Sequence, residues 1–338
     1  MSRHVNIPIF IPHLGCPNQC VFCNQRTISG VCEFDPESVS REIDLALSTI
    51  EPDAEVEIAF FGGSFTGIDR DLMESLLVIA NGYILNGRVG SIRCSTRPDY
   101  INREVLDLLK RYGVKTVELG LQSVCDSVLQ KTKRGHTFEA ERQACQMIVE
   151  SGLALVGQMM IGLPGADISS EKQTAEFIIS AGASAARIYP TVVFRDTELC
   201  AMVESGEYSP LSLSDAIARS AAVLELFDRA AVPVIRIGLS ASENLSSPET
   251  YYAGPNHAAL GELIENELYY NKIKNILATY NLEGKNNINI YASRGSLSKA
   301  VGQKRRNKLR LMEEYPSFDI VFREADDLSG YGVRVEIG

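Results

Sequence analysis

No apolar run in the 338 residues approaches the eighteen or so that a membrane span requires. The N-terminus lacks the pattern of a secretory leader, so the chain is expected to work in a reducing cytoplasm, away from membranes. Positive charge is in the minority: 33 Lys and Arg stand against 43 Asp and Glu, a net of −10. That balance argues against the whole chain coating nucleic acid. Histidine is scarce, with four in all, and none follows the cysteines at zinc-finger spacing. A hydrophobic content of 45% and a charged content of 22% are ordinary for a globular protein. These absences leave one large α/β domain, or a large one with a small one. Either has core enough to fold without disulfides or structural metal.

Cysteine is the residue in surplus. Of eight, Cys32, Cys94, Cys125, Cys145 and Cys200 are scattered and read as small buried hydrophobes. The other three crowd into Cys16-Pro17-Asn18-Gln19-Cys20-Val21-Phe22-Cys23. Three thiolates on one short loop repel each other and occur together where a metal centre needs them. Three ligands leave a structural zinc site incomplete, with His13 the nearby candidate for a fourth. An iron–sulfur cubane with three cysteine ligands and one open iron suits the set better.

Strand and helix patterns alternate along the first 240 or so residues. Strands are expected at Val5–Pro12, Glu55–Phe61, Val89–Ser95, Val114–Leu121, Leu153–Ile161, Ala185–Val193 and Val232–Leu239, with helices between them. Asp35-Pro36 is an N-cap followed by proline at the first helical position. Such repeats predict a parallel sheet closed into a partial or complete (β/α) barrel. In barrels of this kind chemistry collects where strands end. The residues there are the cysteine loop, Gly62-Gly63-Ser64, Ser95-Thr96-Arg97 and Gln122. Glu118 and Gln122 are polar within an apolar strand, which is costly unless each meets a partner such as a cofactor's hydroxyls and carboxylate.

The CxxxCxxC spacing, with Phe22 before the last cysteine, resembles the signature of the radical S-adenosylmethionine (radical SAM) superfamily. The resemblance implies that Cys16, Cys20 and Cys23 hold a [4Fe–4S] cluster whose open iron chelates SAM. Reductive cleavage of SAM then gives a 5′-deoxyadenosyl radical, with the electron coming from a donor such as flavodoxin or ferredoxin. It assigns the Gly62-Gly63-Ser64 turn to the SAM amino group and Gln122 to SAM contact, with Ser95 and Arg97 beside it. Five ordered stretches further resemble the radical SAM domain of the Elongator catalytic subunit. They are FFGGSFTG (60–67), STRPDYI (95–101), VELGLQSVCDSVL (117–129), KRGHT (133–137) and RIYPTVVFRDTEL (187–199). That subunit modifies a transfer RNA uridine. Ser95 stands where that family has glutamate. The remaining hundred or so residues are shorter than its acetyltransferase domain and show no acetyl-CoA-binding pattern.

Residues 1–245 are therefore expected to form the barrel, 246–286 a mostly helical connector, and 287–338 a small α+β module. His257 reads as structural. The last module's strand-helix-Gly302-Gln303-Lys304-Arg305-helix-strand order resembles a KH RNA-binding core with a degenerate GXXG loop. Seven basic residues and no acidic one lie between Ile290 and Met312. Gly302, Lys304, Arg305, Arg306, Lys308 and Arg310 are the candidate RNA contacts. The favoured reading is radical modification of RNA, above all transfer RNA. The alternatives are radical chemistry on a small molecule such as a tetrapyrrole, and a non-catalytic, cluster-bearing RNA-binding protein.

Overall fold

The computed structural model describes residues 4–11, 14–17, 20–24, 34–239 and 247–338. His13 and Cys32 lie outside these residues. The strands of the larger sheet are β1 (His4–Ile11), β2 (Glu55–Gly62), β3 (Ser91–Thr96), β4 (Val114–Gln122), β5 (Ala154–Ile161) and β6 (Ala185–Pro190). A short β7 (Val193–Phe194) leaves the sheet, and β8 (Val234–Ile237) completes it. The spatial order is β1-β2-β3-β4-β5-β6-β8, every neighbour parallel. β1 and β8 are edges rather than partners, so the sheet is a curled half-barrel and the complete barrel is excluded.

Alternation along each strand sorts side chains to two faces. Ile7, Ile9 and Ile11 of β1 are buried with Ile58, Phe60, Ile92, Val117 and Leu119 in the main core. The helices Val39–Thr49, Arg70–Leu85, Arg103–Arg111 and Phe138–Glu150 contribute to that core from outside. Their starts are set locally. Asp69 accepts from the Asp71 and Leu72 amides, Asn102 from the Val105 amide, and Asp167 with Ser170 forms a capping box. The opposite, concave face carries Phe10, Phe61, Arg93, Ser95 and Arg187, all only partly buried.

The stretch expected as one strand over Ala185–Val193 breaks. β7 turns away and pairs antiparallel with β9 (Tyr251–Ala253). The expected connector is also more than a connector. Within the helix Leu260–Leu277, Leu260, Leu263, Ile264 and Leu268 pack into the half-barrel core, whereas Tyr270, Ile273 and Leu277 pack under the small C-terminal sheet. That sheet contains β10 (Asn287–Ser293), β11 (Asp319–Ala325) and β12 (Val333–Ile337) in the order β11-β10-β12. β10 and β11 are parallel and joined through the helices Leu297–Val301 and Arg306–Glu314; β12 is antiparallel to β10 and was not expected. Among the described residues no helix is long and apolar enough to cross a membrane.

Candidate active site

The C-terminal ends of β1 to β4 meet at one rim. β1 delivers the cysteine loop, whose Cys16 and Cys23 are partly buried and Cys20 buried. The loop is pinned from three sides. The Val21 amide donates to Thr132 O at 3.2 Å, the Leu199 amide donates to Val21 O at 2.8 Å, and the Ser64 amide donates to Leu14 O at 3.0 Å. Val21 is buried with Val193, Leu199, Met202 and Tyr208 in a small cluster of its own, against which Phe22 packs.

The glycines after β2 are explained by this docking. Gly62 has φ +111°, and a Cβ there would lie 2.8 Å from Ile11 O. A Cβ on Gly63 would collide with Leu14 O, and one on Gly15 (φ +72°) with Ser64 O. These glycines admit the start of the cysteine loop against the end of β2. Ser64 follows the same logic. It is wholly buried, its hydroxyl 2.8 Å from Thr96 Oγ1 and accepting from the Arg97 amide at 3.2 Å. Thr96 in turn bonds Thr66 at 2.6 Å. The Ser64 side chain thus holds the β2 and β3 turns together.

Gln122 ends β4 at a register shift, with φ +71°, and its buried Oε1 has no partner among the described residues. Burying such an acceptor costs roughly 1–3 kcal/mol. A strained residue presenting a free buried acceptor suits a ligand hydroxyl or amine. Glu118 behaves differently from the expectation. Its carboxylate accepts from Arg93 Nη1 and Arg187 Nη2, each at 2.8 Å, and Arg93 continues to Glu57. Its partners are protein cations, so no cofactor is needed to satisfy it. Ser95 pairs in register with Glu118 on the concave face.

Two arginines border the cysteines. Arg134 Nη1 donates to Cys20 Sγ at 3.3 Å, and its Nη2 donates to Gly120 O. Arg97 is 4% exposed and grips Asp99 with two bonds, Nε to Oδ1 at 2.9 Å and Nη2 to Oδ2 at 2.8 Å. Arg97 Nη2 also donates to Arg134 O at 2.5 Å and lies 3.4 Å from His136 Nδ1. Burial raises the Cys16 thiol pKa, and the Arg97 charge acts against that rise. Burial would raise Asp99 as well, but the hydrogen bond and charge of Arg97 hold its carboxyl below the usual range. His136 is depressed to about 3 by burial, with the Arg134 and Arg97 charges adding to it. Its Nε2 lies 2.9 Å from Glu141 Oε1, and burial lifts that carboxyl well above the ordinary value. With Nδ1 facing the Arg97 donor, neutral His136 carries its proton on Nε2 and donates to Glu141. A cavity of about 740 Å³ opens beside this group, lined by His136, Gly135, Thr137, Asp126 and the Lys133–Glu198 ion pair.

The Asp99, Arg134, His136 and Glu141 group went unassigned in the sequence, although STRPD and KRGHT contain three of the four. Their pairing spans 37 residues between Arg97 and Arg134, and no local periodicity reports it. Among the described residues, no three His, Cys, Asp or Glu side chains surround one point as a single ion would require. A cubane takes each thiolate on its own iron and does not need that convergence. Three thiols beside two guanidinium groups, with the Gln122 acceptor free at the same rim, fit an anionic cluster and a polar ligand.

At the far end of the chain, Arg310 has partners within the protein. Its guanidinium pairs with Glu267 at 2.6 Å and lies 3.5 Å from the Tyr270 ring centroid. Lys299 likewise pairs with Glu265 at 2.9 Å. Gly302 is buried, and a Cβ on it would lie 2.9 Å from Asn307 N, so it shapes the turn. Lys304 and Arg305 have positive φ, and with Arg306 they project into solvent. Neither these three nor the half-buried Lys308 meets an acidic partner among the described residues.

Comparison with known proteins agrees with this geometry. The family model described as the radical SAM superfamily matches residues 10–178, half of the chain, and one described as a radical SAM C-terminal domain matches 183–270. The chain is 27% identical over 243 residues to the tRNA uridine(34) acetyltransferase of Methanocaldococcus jannaschii, covering 60% of this chain and 45% of that protein. It is 30% identical over 192 residues to Elongator complex protein 3 of Mus musculus, covering 51% and 35%. It thus spans less than half the length of these curated relatives. The archaeal Methanocaldococcus infernus Elp3 with an N-terminal deletion shares the fold, with a TM-score of 0.62 at 22% identity over 81% of this chain and 64% of that one. The chain belongs to the radical SAM superfamily.

Proposed function

We propose that this chain is a radical SAM enzyme acting on RNA, most specifically on a transfer RNA base. The observation that carries the enzymatic reading is the convergence of the cysteine loop, Gln122, Arg97 and Arg134 at one rim of the half-barrel. Cys16, Cys20 and Cys23 would hold the [4Fe–4S] cluster, which supplies the electron for reductive cleavage of SAM. Gln122 offers an acceptor to the bound SAM, and Ser95 adds a hydroxyl from the concave face. Gly62, Gly63 and Ser64 hold the cysteine loop against β2 and β3, so the thiols keep their places without a ligand. Arg134 donates to Cys20 Sγ and places its charge beside the loop.

The RNA reading is supported by the names of the relatives and by the basic turn of the C-terminal module. Lys304, Arg305, Arg306 and Lys308 supply phosphate-binding charge, and the strand-helix-turn-helix-strand order fits a KH-like core. Electrons would come from a ferredoxin- or flavodoxin-class donor.

The test is anaerobic reconstitution with iron and sulfide, then reduction in the presence of SAM. Cluster absorbance and 5′-deoxyadenosine are expected from the native chain and neither from the Cys16→Ala, Cys20→Ala, Cys23→Ala triple variant. Profiling modified nucleosides in cellular RNA with and without the protein, under low oxygen, identifies the base. If no transfer RNA nucleoside changes while 5′-deoxyadenosine still forms, the substrate is a small molecule instead.

A further inference from the structure

The Arg97 guanidinium has five N–H donors, and only one side of it is used. Nε and Nη2 are taken by Asp99, by Arg134 O and by the approach of His136. Among the described residues, both N–H groups of Nη1 are left without a partner, on a side chain 5% exposed. A buried amino group of a cation without an acceptor costs several kcal/mol and requires an explanation. The group has no freedom to swing out. Asp99 clamps one edge in two places, and the Arg97 amide is tied to Ser64. The Cys16 and Cys20 sulfurs lie within electrostatic reach of this same guanidinium. Arg97 and Arg134 place two guanidinium groups beside the thiols, and Asp99 opposes them with one carboxylate.

We infer that Arg97 is a redox-positioning residue whose free Nη1 edge and fixed charge favour the reduced, more negative state of the cluster held by Cys16, Cys20 and Cys23. This rests on the cluster reading above. The electron enters from a low-potential reductant of the ferredoxin or flavodoxin class, or dithionite in the assay, and no bond is made or broken in that step. Donors and positive charge near the sulfurs raise a cluster's potential, and burial strengthens the effect. Asp99 sets the size of the effect, since it neutralises part of the charge while fixing the direction of the Nη1 edge.

The experiment is an anaerobic redox titration of the reconstituted full chain without SAM, followed by electron paramagnetic resonance, with iron per chain measured in parallel. Arg97→Gln is expected to retain iron but to show at least tenfold less reduced relative to oxidised cluster at the native midpoint, about 59 mV for one electron. Arg97→Lys, which keeps the charge and loses the fork, is expected to fall between the two. Asp99→Asn removes the neutralising carboxylate and is expected to move the midpoint the opposite way. An Arg97→Gln midpoint equal to the native one, or Asp99→Asn moving with Arg97→Gln, overturns the inference. Should Arg97→Gln not fold, the sign of the Asp99→Asn shift decides alone. A change confined to SAM affinity, with the SAM-free midpoint unmoved, also overturns it, because Arg97 would then serve the SAM carboxylate. A native chain that takes up no cluster overturns the functional reading itself.

Discussion

Glu118→Ala is expected to destabilise the protein strongly before any cofactor is bound. Glu118 is 2% exposed and stands between two arginines whose side chains are 11% and 14% exposed. Arg93 retains Glu57 when Glu118 is removed, but Arg187 has no other acidic partner among the described residues. Breaking a buried pair by deleting one member costs about 3–5 kcal/mol, because a charge stays buried without compensation. At about 2.1 cal/mol/K per residue, 338 residues give an unfolding entropy near 0.7 kcal/mol/K. The expected fall in Tm is then about 4–7 °C, read by circular dichroism on iron-free protein. The Glu118→Leu, Arg187→Met double variant removes both charges and should recover more than half of that loss. If Glu118→Ala changes stability by less than about 1 kcal/mol, or if the double variant is as damaged as the single, the ladder is not the reason for a carboxylate in β4. If stability changes only once SAM is added, the original expectation of a cofactor partner is the better one.

Three further outcomes follow from the same geometry. Gly63→Ala drives a Cβ into Leu14 O and should cost about 1–3 kcal/mol as overpacking does, with iron uptake falling further than helix content. The neutral state of His136 makes stability pH-dependent: the unfolded chain binds a proton there below about 6.5, and the folded chain refuses it down to about 3. Native protein should therefore lose about 1.4 kcal/mol relative to His136→Asn between pH 7.5 and 5.5, measured by urea unfolding at each pH. Reversing Lys304, Arg305 and Arg306 to Glu should weaken transfer RNA binding and reduce the slope of log affinity against log salt by about 2–3. Unchanged affinity and slope in that variant would remove the turn from the RNA interface.

Much of the architecture was legible because it is periodic. Ile7, Ile9 and Ile11 alternate by two, helices begin at Asp69, Asn102, Asp167 and Ser212, and the Cys16-Cys20-Cys23 spacing is local. Each of these signals lies within a few residues, so the chain itself carries it. Barrel closure was not legible, since whether β8 meets β1 depends on accumulated twist and on what covers the edges. Nor was the break at β7, where two residues leave the sheet to pair with Tyr251–Ala253 more than fifty positions later.

Side-chain roles divided in the same way. That Glu118 and Gln122 need partners followed from burying polar groups in an apolar strand, whatever the fold. Which partner each has was decided only in three dimensions, because Arg93 and Arg187 come from other strands while, among the described residues, no protein group reaches Gln122 Oε1. The glycines at 62 and 63 were visible as turn residues, but that the cysteine loop is their neighbour required β1 and β2 to be placed side by side. The basic run from Arg294 to Arg310 was visible as charge; the pairing of Lys299 and Arg310 was made by acids on the helix Leu260–Leu277, and that of Arg294 by Asp326. Spacing along the chain selected the kind of cofactor, since ligand type and number are local. The environment of its ligands, Arg97 and Arg134 above all, was set by folding, since hydrogen bonds and charge act through space.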